Sequence, residues 1–385
     1  MRTQVCIIGG GPSGLLLSHL LHRAGIDTVV LERHTRAHVL ARIRAGVLEW
    51  GSIELLRAAG LGERMDREGF PHAGVYLAAQ NRGFRVDFEG LTGRRVMVYG
   101  QTEVTHDLYD ARDAMDGVVV HEALDVAPDV PGRRVAYRKD GAAREVACEW
   151  IVGCDGFHGP SRGAIPREVL STYERDYPFG WLGILSETPP VSGELIYANH
   201  GRGFALCSMR NENLSRYYVQ CPLDDAIEAW PDDAFWDELR RRIPHEAAEA
   251  LVTGPSVEKS IAPLRSFVAE PMRWDRLFLV GDAAHIVPPT GAKGLNLAIG
   301  DVHYLSAALI DHYAGDDRGI DAYSDRALAR VWQAIRFSWW FTTTMHRFPG
   351  QSAFDQKIQE SDLAYLETSE AARRSMAEQY VGVPF

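Results

Sequence analysis

A chain of 385 residues, 46% hydrophobic and 24% charged, has the length of two to three domains and ample apolar residues for a core. Its net charge of −11 argues against nucleic acid or an anionic membrane as a partner, so a site for a small anion must be built from local Arg and Lys. The five cysteines form no C-x-x-C pair and read as buried apolar residues in a reducing compartment, not as a disulfide frame or a metal site.

Gln4-Val5-Cys6-Ile7-Ile8 is a short β-type run. Gly9-Gly10-Gly11-Pro12-Ser13-Gly14 follows, and then an apolar helical pattern through Leu15, Leu16, Leu17, Leu20 and Leu21. The glycines break the apolar run and no small-residue cleavage site follows, so this is not read as a signal peptide. Thr28-Val29-Val30-Leu31 is a second strand, ending in Glu32. Strand, G-x-G-x-x-G turn, helix, strand and acid together describe a dinucleotide site. Gly9, Gly11 and Gly14 permit a tight turn and close approach to a pyrophosphate. The helix N-terminus offers unpaired N–H groups, and Glu32 can accept ribose hydroxyls. The motif alone does not separate FAD from NAD. Arg33, Arg36, Arg42 and Arg44 flank it as candidates for phosphate contact.

Residues 47–61 read as a helix and 74–91 as short strands and turns. Val96-Met97-Val98-Tyr99 is a further strand, and Gly100-Gln101-Thr102-Glu103 opens a helix with Thr102 as its cap. Strands are expected at 118–121, 133–138 and 144–151. Gly153-Cys154-Asp155-Gly156 then places a second acid at a strand end. From 177 to 220 the pattern changes to alternating, aromatic-rich runs at 180–185, 194–198, 204–209 and 215–221, which predict an antiparallel sheet. Helices follow at 232–242 and 245–252. Leu277-Phe278-Leu279-Val280 is a buried strand that delivers Gly281-Asp282. Pro288-Pro289 and Thr290-Gly291-Ala292-Lys293-Gly294 form a stiff loop, and a helix begins near Leu295 with its N-terminal N–H groups facing whatever lies in front.

The remainder to Tyr380 is mostly helical, with Phe337-Ser338-Trp339-Trp340-Phe341 in the core or at a subunit interface. No apolar run reaches the roughly 18 residues of a transmembrane helix, and the protein reads as cytoplasmic. The expected fold class is α/β: a Rossmann-like dinucleotide-binding domain with an inserted antiparallel β-sheet domain and a helical C-terminal region. Its divisions are 1–173 and 271–385 for the dinucleotide-binding and helical parts and 174–270 for the inserted sheet.

Three separated motifs, the 9–14 turn with Glu32, the Asp155 turn and Gly281-Asp282, carry a resemblance to the single-component FAD-dependent aromatic hydroxylases, the class A flavoprotein monooxygenases. A dehydrogenase with the first motif has no need of the other two. Ile43-Arg44-Ala45-Gly46-Val47-Leu48-Glu49, Tyr99-Gly100-Gln101-Thr102-Glu103-Val104, Tyr177-Pro178-Phe179-Gly180-Trp181-Leu182-Gly183, residues 286–297 and Tyr380-Val381-Gly382 look like the members that act on 4-hydroxybenzoate.

The resemblance implies FAD as cofactor, NADPH or NADH as electron donor, O2 as co-substrate and a small aromatic carboxylate as substrate. It also implies hydroxylation of 4-hydroxybenzoate at C3 and a homodimer. It assigns Gly9, Gly11, Ser13, Gly14, Glu32, Arg42, Arg44, Gln101, Asp282, Lys293, Leu295, Asn296 and Arg216 to FAD. Arg33, His34, His38, Arg44, His158 and Arg265 fall to NAD(P)H. Ser208, Arg210 and Tyr218 grip the carboxylate, with Tyr197 and Pro289 at the phenol end. Asn296 and the helix N-terminus face the flavin pyrimidine edge, while Lys293 and Arg216 add positive potential. Arg216, Tyr218 and the loop around Arg44 line two flavin positions.

These roles suit the residue types. A guanidinium grips a carboxylate through two parallel hydrogen bonds. Hydroxylation of the ring is electrophilic, and a phenolate is far more electron-rich than a phenol of pKa about 10. Tyr197, Tyr380 and His72 are the implied relay for that proton, with His72 able to titrate near neutrality. Apart from the resemblance, His72 in Phe70-Pro71-His72-Ala73 reads as a surface-loop histidine, and Ser208-Met209-Arg210 as a solvated strand face. His34 and His38 depart from strictly NADPH-using relatives while Arg33 fits a 2′-phosphate, so the choice of donor stays open. Two other readings remain: another hydroxy- or aminobenzoate as substrate, or a flavin redox sensor without oxygenation. The sensor would have no use for Ser208, Arg210, Tyr218, Tyr197, Tyr380 and His72 together.

Overall fold

The structure, a computed structural model, describes residues 1–41, 46–79 and 82–385. Strand Arg2–Ile8 is fully buried from Val5 onward, as a strand covered on both faces of a parallel sheet must be. It lies between Thr28–Leu31 and Ala142–Gly153, parallel to both. Val118–Val120 extends this first sheet beyond Thr28–Leu31, and Leu277–Leu279 extends it beyond Ala142–Gly153, again in parallel. Arg273–Trp274, Arg134–Lys139 and Leu124–Asp129 complete eight strands. Ile8 is in register with Leu31 and Gly153, and Gly153 with Leu279. The 9–14 turn, Glu32, Asp155 and Asp282 therefore leave one carboxyl edge together, which is where α/β sheets bind ligands. Helix Pro12–Arg23 packs on Gln101–Ala114 and Gly294–Tyr313.

The second eight-stranded sheet is antiparallel apart from one pair. Its order is His285–Ile286, Ser256–Glu270, Ser171–Ser186, Leu214–Cys221, Ala205–Asn211, Ile196–Asn199, Gly74–Ala79, Arg82–Asp87. One face buries Tyr177, Phe179, Trp181, Tyr197 and Phe204 against Phe337, Phe341 and Tyr380 of the C-terminal helices. The aromatic alternation at 177–220 accounts for this face. The sheet is not confined to residues 174–270, however. The paired strands Gly74–Ala79 and Arg82–Asp87 join one edge through the parallel pairing of Gly74–Ala79 with Ile196–Asn199, and His285–Ile286 joins the other. Such ladders between distant segments leave no local pattern.

Two local expectations change. Residues 47–61 are not one helix: Val47–Leu48 pairs with Val96–Val98 in a small third sheet, and the helix is Trp50–Ala58. Thr102 is not a cap, because helix Gln101–Ala114 is capped by Gly100. The C-terminal region consists of helices Gly294–Tyr313, Arg318–Met345, Ala353–Thr368 and Glu370–Val381. The five cysteines are free and buried. Among the described residues no helix is long and apolar enough to cross a membrane.

Candidate functional site

The carboxyl edge of the first sheet opens into a cavity of about 590 Å³, within the roughly 300–1,000 Å³ of ligand sites. Gly9, Gly11, Ser13, Glu32, Gln101, Asp282 and Leu295 line it. Gly9 has φ +110°, and a Cβ there would sit 2.2 Å from the Cys154 carbonyl oxygen. A Cβ on Gly14 would sit 2.0 Å from the Gly9 carbonyl oxygen, so Gly14 seats the helix on the turn without lining the cavity. A Cβ on Gly11 meets nothing within 4 Å, which leaves open space in front of the helix N-terminus, as a pyrophosphate requires. Buried Glu32 accepts hydrogen bonds from Gly10 N–H and His34 N–H, each 2.8 Å, so its carboxylate is oriented toward the cavity. These features fit the diphosphate and ribose of a dinucleotide such as FAD. Asp155 closes the far side. Its Oδ2 accepts from Ser161 N–H (2.9 Å) and Oγ–H (2.7 Å), while buried Oδ1 has no partner among the described residues. Burial raises the Asp155 pKa.

Two residues expected at the flavin are engaged elsewhere. The Asn296 side chain is buried, and its amide donates to Val47 and Ala292 carbonyls while its oxygen accepts from Glu49 N–H, all 2.8 Å. It clamps the helix start to the third sheet and has no donor left for a flavin edge. Gly294 and Leu295, at the helix start, line the cavity instead. Lys293 is buried rather than solvated. It pairs with Glu49 at 2.7 Å and donates to the Gln379 and Tyr380 carbonyls, and Glu49 also holds Arg330 at 2.9 Å. Burial lowers the Lys293 pKa, and the Glu49 carboxylate opposes that shift. Glu49 and Arg330 were invisible as partners in the sequence, since the contacts span most of the chain.

On the second sheet, Tyr197 and Tyr380 are buried with hydroxyls 2.8 Å apart. Burial pushes Tyr197 up to about 12, opposed by hydrogen bonds from Tyr380 and the Gly291 backbone. His72 is no surface histidine. It ends strand Phe70–His72, is 1% exposed, and neither ring nitrogen has a partner among the described residues. Burial lowers its pKa. The structure joins the tyrosines to each other but makes no hydrogen bond from His72 to either.

Ser208 Oγ donates to the Arg216 carbonyl at 2.7 Å across the Ala205–Asn211 and Leu214–Cys221 ladder. Arg210 follows two residues on, where the ladder register shifts between Met209 and Asn211. Its Nη1 donates to the Met209 carbonyl at 3.1 Å, while among the described residues its buried Nε has no partner. Burial lowers its pKa, Tyr218 opposing and Arg216 adding to the shift. Gly183 makes room for Tyr218, whose ring would lie 2.6 Å from a Cβ there. Arg216 is buried but not free. It pairs with Glu258 at 2.9 Å, donates to Ser260 at 3.2 Å and lies over the Tyr218 ring. That carboxylate offsets the positive potential expected of Arg216. Pro289 is exposed, and its carbonyl accepts from Ala292 N–H at 3.0 Å.

Arg33, His34, His38 and His158 line the cavity at its outer end. Arg33 Nε donates to His34 Nε2 at 3.0 Å, and the His34 and His38 rings stack at 4.1 Å. Arg265 stands away from the cavity lining, paired with Asp176 and Glu174 over the Phe157 ring. Arg42 and Arg44 lie outside the described residues.

The chain matches the FAD binding domain family over residues 2–338. It is 52% identical over 394 aligned positions to the p-hydroxybenzoate hydroxylase of Acinetobacter baylyi, covering 100% of this chain and 96% of that protein. A 3-(3-hydroxy-phenyl)propionate/3-hydroxycinnamic acid hydroxylase of Burkholderia cenocepacia is 25% identical over 79% of this chain and 56% of its own length. Among solved structures, p-nitrophenol 4-monooxygenase from Pseudomonas putida superposes with a TM-score of 0.82 over 100% of both chains at 17% identity, a likeness of fold.

Proposed function

The chain belongs to the FAD-dependent aromatic hydroxylases, and from that premise we propose that it converts 4-hydroxybenzoate to 3,4-dihydroxybenzoate with O2 and NADPH or NADH. The observation that carries the substrate is Arg210, a guanidinium whose buried Nε has no partner among the described residues, on the strand that also holds Ser208 and in the sheet that carries Tyr197 of the Tyr197–Tyr380 pair. A buried cation without an anion costs free energy until one arrives. A carboxylate at one end of a ring and a phenol at the other match the guanidinium and the tyrosine pair.

When bound, FAD supplies the chemistry of taking hydride from the nicotinamide and, once reduced, activating O2 for transfer of one oxygen atom to the ring. The protein's part is to hold, orient and deprotonate. Glu32, Gly11 and Asp282 hold the cofactor. Arg210 grips the substrate carboxylate, and Ser208 adds a hydrogen bond once its hydroxyl turns from the Arg216 carbonyl. Tyr218 flanks both arginines. Tyr197 takes the phenolic proton as it passes its own to Tyr380. With Tyr197 pushed up to about 12 by burial, neither oxygen holds a charge for long, and the proton moves along the pair. His72 is the next acceptor, and its lowered pKa favours release to solvent over storage. The rigid Pro289 carbonyl orients the substrate hydroxyl. Arg33, His34, His38 and His158 bind the nicotinamide donor along the cavity lining; Arg265, held by Asp176 and Glu174 away from that lining, would reach the donor only by leaving those carboxylates. Arg33 favours NADPH.

The test is steady-state turnover with 4-hydroxybenzoate and a panel of hydroxy- and aminobenzoates, using NADPH and NADH separately with product identification. Formation of 3,4-dihydroxybenzoate in step with donor oxidation is expected. Donor oxidation that yields only peroxide removes the proposal, and turnover confined to another benzoate redirects it. The five buried free cysteines suit a reducing cytoplasm, which cell fractionation checks. Trp339, 42% exposed on a C-terminal helix, suits a homodimer interface, and a monomer mass by light scattering would exclude it.

A further inference from the structure

The turn carrying Asp282 is held by a pair that plays no part in the chemistry above. Asp301 is buried within helix Gly294–Tyr313, and its Oδ2 accepts from Gly281 N–H at 2.8 Å and from His285 Nε2 at 2.6 Å. Gly281 follows a strand of the first sheet, and His285 opens an edge strand of the second. One carboxylate oxygen thus ties both ends of a short turn, with Asp282 between them facing the cavity. The turn has little room to relax. Gly281 has φ +63°, and a Cβ there would lie 3.1 Å from Ala298 Cβ. Arg162 Nη1 donates to the Ala283 carbonyl at 2.9 Å and Tyr323 Oη to the Leu279 carbonyl at 2.8 Å.

We propose that Asp301 and His285 are positioning residues for FAD: a buried carboxylate–imidazole clip that sets the direction of Asp282 and joins the edges of the two sheets at the cofactor. Neither residue touches the cofactor, and both act through Asp282. Burial disfavours the charged imidazole, but Asp301, with smaller help from Asp282 and the backbone, outweighs it and the His285 pKa is raised. Each partner therefore depends on the other, and losing either strands a buried polar group.

The proposal rests on the flavin reading of the cavity. It is tested on apoprotein stripped of FAD, by fluorescence titration with FAD at a pH where far-UV circular dichroism shows the fold intact. Asp301→Asn and His285→Gln should each raise the FAD Kd about tenfold or more, the usual effect of groups that orient a ligand-binding residue. Asp282→Asn should also raise it. Adding Asp301→Asn to Asp282→Asn should raise it no more than about twofold further, because the clip acts through Asp282. Single-variant Kd values unchanged from wild type, or penalties that multiply in the double variant, overturn the clip. If Asp301→Asn does not fold, His285→Gln goes through the same cycle. Wild-type apoprotein that takes up no FAD would remove the flavin reading itself.

Discussion

At the carboxyl edge of the first sheet, Glu32 already has its carboxylate engaged by two main-chain N–H groups. On the face of the second sheet, Arg210 presents an Nε with no partner among the described residues, and on the small third sheet beside it both His72 ring nitrogens likewise lack one. The first region is built from backbone: glycine turns, strand ends and helix N-termini whose free N–H groups face the cavity. The second is built from side chains carried by distant strands and helices, and it leaves charged and polar groups waiting. A backbone cradle accepts any dinucleotide of the right shape. A side-chain wall with one unpaired guanidinium selects a particular anion, because other occupants leave that charge stranded.

The largest effect is expected at Gly9. Gly9→Ala forces a residue with Cβ into φ +110° and against the Cys154 carbonyl, costing about 1–3 kcal/mol in strain and about 1–3 kcal/mol in overlap. FAD should be lost on gel filtration and the melting temperature should fall. A variant that keeps FAD and its melting temperature would show that the backbone is not the binding element.

A smaller effect belongs to His346, which supports the second-sheet wall. Its Nε2 accepts from the Trp181 indole at 2.7 Å, its ring stacks between Phe179 and Phe204, and burial pulls its pKa down to about 3. The folded state therefore binds fewer protons here than the unfolded chain. Stability is whole above the ordinary 6.5 and falls as pH drops from there toward 3, by up to about 1.4 kcal/mol per pH unit. His346→Gln keeps an acceptor for Trp181 and should flatten that slope in urea titrations at pH 7, 5.5 and 4.5. Equal slopes in the two proteins would refute the assignment.

Tyr380→Phe removes one buried hydrogen bond, about 1 kcal/mol of stability, and leaves Tyr197 without its partner at 2.8 Å. Hydroxylation should slow and a larger share of donor oxidation should end in peroxide, with FAD affinity unchanged. A normal product yield with the same pH profile would remove the relay.

The same contrast explains what the sequence disclosed. Gly9, Gly14 and Glu32 were legible because backbone geometry dictates residue type at fixed spacing, and the strand patterns placed them at one sheet edge. The first sheet's parallel runs and the aromatic alternation of the second were legible for similar reasons. Lys293 and Asn296 were misplaced because their partners, Glu49 and Val47, lie some two hundred and fifty residues earlier. Nothing local marks a lysine as half of a buried pair. His72 looked exposed because the sheet that buries it joins residues 47–48, 70–72 and 96–98. Asp301 and His285 carried no motif at all. They matter only because a helix, a turn and two sheets converge on one oxygen.

The most direct test of the account is an equilibrium titration of the FAD-loaded protein with 4-hydroxybenzoate and with its uncharged carboxamide, in the wild type and in Arg210→Ala. Arg210 should favour the carboxylate by roughly 2–5 kcal/mol, the range for a desolvated charge pair, and Arg210→Ala should erase most of that preference. Equal binding of acid and amide by the wild type, or an acid preference that survives in Arg210→Ala, would contradict the claim that the second sheet waits for a carboxylate.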